Sequence, residues 1–430
     1  MKVTVIGAGS TYTPELVSGL WNERERLTVD DLWLMDVDGP RLEVVGGMVR
    51  RMLARQGADV PVTLTTDRSA ALDGADAVLI QLRVGGQSAR LGDESFPLAC
   101  GCVGQETTGA GGLAKALRTV PVVLDIAREA RERANPGAWI VDFTNPVGIN
   151  TRALLDDGHR AIGLCNFAIG VQRWIAREHQ VEPSRVEVDP VGLNHLSWVR
   201  HIRVDGVDVL PGMIAERSDE LGRRGGVTGD LIRDLGVLPS YYLKYYYAHD
   251  ATVEEQRTST PRATVVADVE RELLALYADP SVDTKPAQLE SRGGAFYSEA
   301  ATALLASLVA GTGDTHVVNV RNAGLLPGLA ADDVIETLCR VDENGATPLP
   351  QEPAAPELLG LIQHVSAYER LAARAAVTGD RRLVRMAMLA HPLIGQWDLV
   401  RDLERGLFAS GAEFLPQFAG RLDDLAGEAR

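Results

Sequence analysis

Cysteine is scarce: Cys100, Cys102, Cys165 and Cys339 are the four in 430 residues. None has the CxxC spacing of a zinc ribbon or a redox motif, which argues against a disulfide framework and fits a reducing compartment. Aromatic residues make up only 5%, yet five of the nine tyrosines fall in one run, Tyr241-Tyr242-Leu243-Lys244-Tyr245-Tyr246-Tyr247. Basic charge is in deficit, with 43 Lys and Arg against 59 Asp and Glu. That balance disfavours a nucleic-acid surface and requires any anionic substrate to be met by a local arginine cluster. No apolar run approaches the roughly 18 residues of a membrane span, and Met1-Lys2 leads straight into Val3-Thr4-Val5-Ile6 without a secretory segment. The sequence therefore predicts a cytoplasmic protein with neither a nucleic-acid nor a membrane partner. At 45% apolar and 24% charged residues, it has the composition of a globular chain of two to three domains.

The N-terminal half alternates strand and helix. Lys2 to Ile6 is a short apolar strand, Gly7-Ala8-Gly9-Ser10-Thr11 a glycine turn, and Leu16, Val17, Leu20 and Trp21 mark the helix that follows. This order suits a dinucleotide, whose pyrophosphate rests on the helix N-terminus. The third glycine of the fingerprint is replaced by Tyr12. A second strand, Leu32 to Met35, ends at Asp36, a carboxylate placed to take ribose hydroxyls and to repel the extra phosphate of NADP. Gly7, Gly9, Ser10, Thr11, Asp36 and Arg41 form the expected cofactor set. Further strands are predicted at Val60 to Thr65, Ala77 to Gln81, Trp139 to Phe143 and Arg160 to Leu164. The expected fold is α/β, with a Rossmann-like doubly wound parallel sheet over 1–184. A mixed α+β domain over 185–430 follows, in which the sheet continues in antiparallel form, with an Asp205-Gly206 hairpin and C-terminal helices.

Several stretches carry chemistry. Residues 82–94 read as a polar loop after a strand, with Arg83 and Arg90 suited to bidentate contact with a phosphate. Residues 101–112 hold five glycines around Gln105-Glu106-Thr107-Thr108 and read as a mobile site loop. Pro146 fixes the backbone of Asn145 and so the direction of its amide. Gly163-Leu164-Cys165-Asn166 and Gly192-Leu193-Asn194-His195 each place a metal-ligating side chain after a buried strand, where two such groups converge at the carboxyl edge of a parallel sheet. The competing reading of each is bland: a small buried hydrophobe for Cys165 and a satisfied core imidazole for His195. For the tyrosine run it is an aromatic core helix.

Taken together, Gly7-Ala8-Gly9-Ser10, Thr144-Asn145-Pro146, Gly163 to Asn166, Gly192 to His195 and the stretch from His316 to Gly324 resemble glycoside hydrolase family 4, nearly end to end. Cys165-Asn166, Arg83 through Arg90 and Gly104 to Gly109 resemble its 6-phospho-β-glucosidase branch. Ala168, where that branch commonly has proline, and the doubled Tyr241-Tyr242 depart from the pattern. The resemblance implies NAD and a divalent metal, Mn²⁺ foremost, held by Cys165 and His195. It implies hydride removal at sugar C3, proton removal at C2 by Tyr242 (Tyr241 as alternate), elimination of the aglycone, water addition and re-reduction, a route outside the usual carboxylate pair. Substrates would be a phosphorylated disaccharide such as cellobiose 6-phosphate, or an aryl glucoside, bound by Arg90, Asn145, Asn166 and Arg262. The assembly would be a homodimer or homotetramer. The rivals are other family 4 specificities (α-glucosidase, α-galactosidase, 6-phospho-α-glucosidase), a sensor that binds NAD without catalysis, and a 2-hydroxyacid dehydrogenase, which would use a His and carboxylate pair and leave Cys165 idle.

Overall fold

The computed structural model describes residues 1–289 and 296–421. Among them, nine strands form one sheet: β1 (Lys2–Ile6), β2 (Asp31–Met35), β3 (Val62–Thr65), β4 (Ala77–Ile80), β5 (Trp139–Asp142), β6 (Ala161–Gly163), β11 (Asp314–Arg321), β12 (Val334–Asp342) and β13 (Gly345–Pro348). The order is β13-β12-β11-β6-β5-β4-β1-β2-β3. The first six strands are mutually parallel, and β11 joins β6 antiparallel. Their order reverses between β1 and β4, the place where an open α/β sheet leaves a crevice at its carboxyl edge. The central strands β4, β5 and β6 are buried on both faces, as strands covered by helices must be. In β4, Val78 and Ile80 join the core on one side while Ala77 and Leu79 join the other.

The antiparallel hairpin region forms a sheet of its own, which corrects the expectation that the first sheet simply continues into it. It comprises β7 (Val186–Leu193), β8 (Leu196–Val204), β9 (Val207–Asp208) and β10 (Leu238–Pro239), and the first sheet is extended instead by β11 to β13. Asp205 and Gly206 both adopt positive φ, 51° and 80°, as the predicted hairpin turn requires.

Two other expectations change. The stretch after β4 is mostly a helix, Gly86–Ala99. Its buried face carries Ala89, Asp93, Glu94 and Pro97, so its inward side is half carboxylate and shows no apolar period. Residues 101–112 are not an open loop. Most are buried, the Gly104 backbone exchanges hydrogen bonds with the Gln256 amide at 3.0 and 2.9 Å, and helix Gly109–Arg133 has begun by residue 109. A Cβ at Gly104 would stand 1.9 Å from the Glu94 carbonyl oxygen, so glycine serves close packing there rather than mobility. The tyrosine run is a 3-10 turn, Tyr241–Leu243, then a short helix, Lys244–Tyr247. The sequence also predicts a helix opening at Ser291 and running to Leu308; Ser291 lies outside the described residues, among which the helix is Tyr297–Ala310. The C-terminal helices are Pro356–Thr378, Arg381–Ala390 and Trp397–Gly411. No described helix is long and apolar enough to cross a membrane.

Candidate active site

A cavity of about 1230 Å³ opens at the carboxyl edge of the parallel strands and is lined by residues from Ile6 to Tyr297. At one end Gly7, with φ 87°, lets the chain leave β1, and its N–H donates to the Met35 carbonyl at 2.9 Å. The Gly9 N–H donates to the Asp36 carboxylate at 2.8 Å, and a Cβ on Gly9 would fall 2.8 Å from that same oxygen, so only glycine admits the carboxylate. Beside Asp36, the apolar side chain of Val37 is 87% exposed on the cavity wall, an open platform for a flat ring. The Arg41 Nε donates to the Gly9 carbonyl at 2.6 Å, and its guanidinium faces Glu270 at 3.4 Å. Ser10 lines the cavity; Thr11 does not, being fully buried with its carbonyl accepting from the Tyr277 hydroxyl at 2.8 Å. Tyr12 fills the third-glycine position because it packs with Leu273, Tyr277 and Leu289.

Deeper in, three cations meet on one buried carboxylate. Glu106 pairs with Arg83, with Lys115, and with Arg90 at 3.2 Å. Burial opposes its ionisation, but Arg83, Lys115 and Arg90 outweigh that and hold it well below the usual carboxylate range. Lys115 is pushed down to about 7 by burial and then by Arg83. Arg90 also donates to Glu94 at 2.7 Å, and Glu94 accepts from the Ala263 N–H at 2.8 Å, tying down the start of helix Arg262–Ala278. Arg83, Arg90 and Lys115 gather on Glu106, with Glu94 beside Arg90, so cations outnumber carboxylates in this cluster. An anionic phosphate suits that excess.

The sulfur and the imidazole come from different sheets. Cys165 follows β6. His195 does not end a parallel strand, as the sequence suggested; it sits at the turn between β7 and β8 with φ 61°. Each is only 4% exposed, behind the tyrosines that line the cavity. The His195 ring stacks on Tyr242 at 3.7 Å between centroids, and the Tyr241 and Tyr242 rings are 4.4 Å apart. Tyr242 also feels the Cys165 sulfur, so both predicted ligands and the predicted base share one corner. Burial, with the Glu336 carboxylate next, pushes the Cys165 thiol up to about 12; a thiolate there calls for a cation at the sulfur. Burial and then Lys115 push His195 down to about 3, which keeps it neutral, and both ring nitrogens are buried without a hydrogen-bond partner. A neutral imidazole with unpartnered nitrogens and a thiol, both near Tyr242, are donors that suit a borderline divalent ion. Among the described residues no group of three or more His, Cys, Asp and Glu side chains could hold a metal ion, so a pair of protein donors would leave positions open to substrate oxygens.

Asn145, Asn166 and Arg262 also line the cavity, and the Asn145 Oδ1 is buried with no partner. Sequence reasoning quoted Glu106 only as part of a glycine-rich stretch, and it missed Lys115, Tyr297 and Glu336. Tyr297 lines the cavity and hydrogen-bonds to Cys165. Glu336, buried on β12, accepts from the Asn194 amide at 3.2 Å and the Ser197 hydroxyl at 3.0 Å, clamping the turn that carries His195. These residues stand far apart in the chain, and the one local signal was that Asn194 and Ser197 flank His195.

Two family models match the chain, Family 4 glycosyl hydrolase over residues 2–181 and its C-terminal domain over residues 190–394. A probable 6-phospho-beta-glucosidase of Bacillus subtilis (strain 168) is 38% identical, covering 98% of this chain and 99% of the relative. A 6-phospho-beta-glucosidase of Escherichia coli (strain K12) is 35% identical over 99% and 98%. The solved structure of the 6-phospho-beta-glucosidase from Thermotoga maritima with manganese, NAD⁺ and glucose-6-phosphate superposes with a TM-score of 0.89 at 32% identity, covering 96% of this chain and 99% of that one. With both family models matched across most of its length, this chain belongs to family 4 of the glycosyl hydrolases.

Proposed function

We propose that this protein is a cytoplasmic 6-phospho-β-glucosidase that works with NAD and a divalent metal such as Mn²⁺ as a homodimer or homotetramer. One observation carries the reading: a single cavity joins a glycine turn with Asp36, a cluster in which Arg83, Arg90 and Lys115 gather on Glu106, and Tyr242 stacked on the unpartnered His195. The relatives named for β-linked phosphoglucosides, at 38% and 35% identity, favour this specificity within the family. A 2-hydroxyacid dehydrogenase would need a histidine paired with a carboxylate, and His195 has no such partner on either nitrogen. We divide the chain into a nucleotide domain, 1–184, and a substrate and assembly domain, 185–430.

When bound at Gly7 to Asp36 and at Cys165 with His195, NAD⁺ supplies a hydride acceptor and the divalent ion supplies Lewis acidity. The chain's own groups do the rest. Arg90 and Arg262 hold the 6-phosphate, with Glu106 keeping Arg83, Arg90 and Lys115 gathered. Asn145 and Asn166 orient the sugar hydroxyls. Tyr242 takes the proton from C2, the aglycone leaves C1, and water later adds at C1 as the proton returns to C2. Burial and then Tyr241 raise the Tyr242 hydroxyl well above its ordinary range, so its use as a base requires positive charge in the occupied site. The test is nitrophenol release from 4-nitrophenyl β-glucoside and its 6-phosphate, with and without Mn²⁺ and NAD⁺. Turnover of the phosphorylated substrate that needs both additions is expected; turnover that needs neither would refute the reading.

A further inference from the structure

The sequence holds two adjacent tyrosines where one base suffices, and the structure gives them different surroundings. Tyr242 is stacked on His195 at 3.7 Å, whereas Tyr241 is 41% exposed on the cavity wall. Phe167 meets the Tyr241 ring edge-on at 5.8 Å, and the tilted Tyr242 ring lies 4.4 Å from it, so two aromatic neighbours flank the ring. The hydroxyls of Tyr241 and Tyr242 are 3.3 Å apart. If the Tyr242 oxygen works on C2, the glycosidic oxygen, two bonds from C2, lies beside Tyr241. An aglycone turned inward from there would run into Cys165 and His195, each 4% exposed; turned outward it crosses Tyr241.

We propose that Tyr241 is the aglycone platform of this enzyme, a ring held at the cavity mouth against which the leaving group's flat apolar face stacks before and during departure. The proposal rests on the function assigned above and adds the class of leaving group: an aryl group, or the apolar face of a second pyranose. Methyl and other small aglycones gain nothing from it. Ring stacking of this kind is worth roughly three- to tenfold in affinity.

The experiment compares kcat/KM for three 6-phospho-β-glucosides that share the phosphosugar and differ in aglycone: 4-nitrophenyl, glucosyl (cellobiose 6-phosphate) and methyl. In Tyr241→Leu the nitrophenyl-to-methyl and glucosyl-to-methyl ratios should fall about three- to tenfold, mainly through KM. Tyr241→Phe, which keeps the ring, should retain both ratios. A fall confined to nitrophenyl assigns the platform to aryl groups; one confined to glucosyl assigns it to sugars. Ratios unchanged in Tyr241→Leu, whatever the absolute rates, overturn the proposal, as does an equal fall in Tyr241→Phe, which would make the hydroxyl the determinant. Wild-type enzyme inactive on all three would instead sink the assigned function, and the platform with it. Thermal melts of both variants separate a lost platform from a lost fold.

Discussion

The two ends of the cavity are built on different plans. The proposed nucleotide end comes from one unit of strand, turn, helix and strand, and groups facing its crevice are already spent: the Gly9 N–H on Asp36, the Arg41 Nε on the Gly9 carbonyl. The sugar end is assembled from segments far apart in the chain, and it carries groups left over. Both nitrogens of His195 and the Oδ1 of Asn145 are buried without partners, and the cations around Glu106 outnumber the carboxylates. A buried polar group without a partner costs roughly 1–3 kcal/mol, so a fold keeps several together only where something else completes them. The contrast teaches that one end is a preformed seat, while the other is finished by what it binds. Substitutions should then cost most at the unfinished end.

The largest effect is expected at the proposed metal pair. Lewis-acid stabilisation is worth several kcal/mol, so Cys165→Ser and His195→Ala should each lower turnover by about three orders of magnitude or more. NAD⁺ titration should be nearly unchanged in both, because the nucleotide end shares no hydrogen bond with either residue. Equilibrium dialysis should find Mn²⁺ binding lost. A variant that loses NAD⁺ and Mn²⁺ together would dissolve the distinction between the two ends.

Next comes the proposed base. Tyr242→Phe keeps the ring that stacks on His195 and deletes the hydroxyl, and loss of a general base costs about 10² to 10⁴ in rate. Tyr241→Phe should cost far less. Turnover in D₂O should place deuterium at C2 of the product, and product free of deuterium would refute proton removal there. The phosphate cluster ranks third. Arg90→Ala should raise KM for the phosphorylated substrate roughly ten- to a hundredfold, by loss of one charged contact, and leave the plain glucoside alone. Because Arg90 also holds Glu94, which receives the N–H of Ala263, parallel losses on both substrates would assign the arginine to the fold instead.

What could be read from the chain follows the same division. β1, β2 and Asp36 were legible because the strand period, the glycine turn and the carboxylate are local in sequence. The helix Gly86–Ala99 was not, since Asp93 is buried by its pair with Arg118 and Glu94 by its pair with Arg90, and an apolar period cannot reveal a face made of ion pairs. Cys165 and His195 were legible as ligand types placed after strands and, as a pair, from the family motifs. Their convergence depends on Glu336 of β12 gripping Asn194 and Ser197 across more than a hundred residues, and no spacing in the sequence encodes that. The antiparallel sheet was foreseen from its hairpin, but not its separation from the first.

The smallest effect should come from the seat itself. Asp36 is fixed by two backbone donors, Gly9 at 2.8 Å and Asp38 at 3.0 Å, so its charge stands in one place beside the exposed Val37. A 2′-phosphate near it brings close to two negative charges. At about 4 Å in water each pair of unit charges costs about 1 kcal/mol, which predicts a preference for NAD over NADP of roughly ten- to thirtyfold. Asp36→Ser removes the charge and should erase most of that preference. Asp36→Asn tests the geometry separately: it also removes the charge, but it turns an amide N–H toward one of the two backbone donors and so gives up a hydrogen bond worth about 1 kcal/mol. Both variants should accept NADP more readily, and Asn should bind NAD less well than a pure charge effect predicts. Apparent Kd values for the two nucleotides, measured on each variant, check this. Equal use of NAD and NADP by the unaltered protein would mean that the carboxylate serves only to close the glycine turn, and that the nucleotide end is no more selective than its backbone.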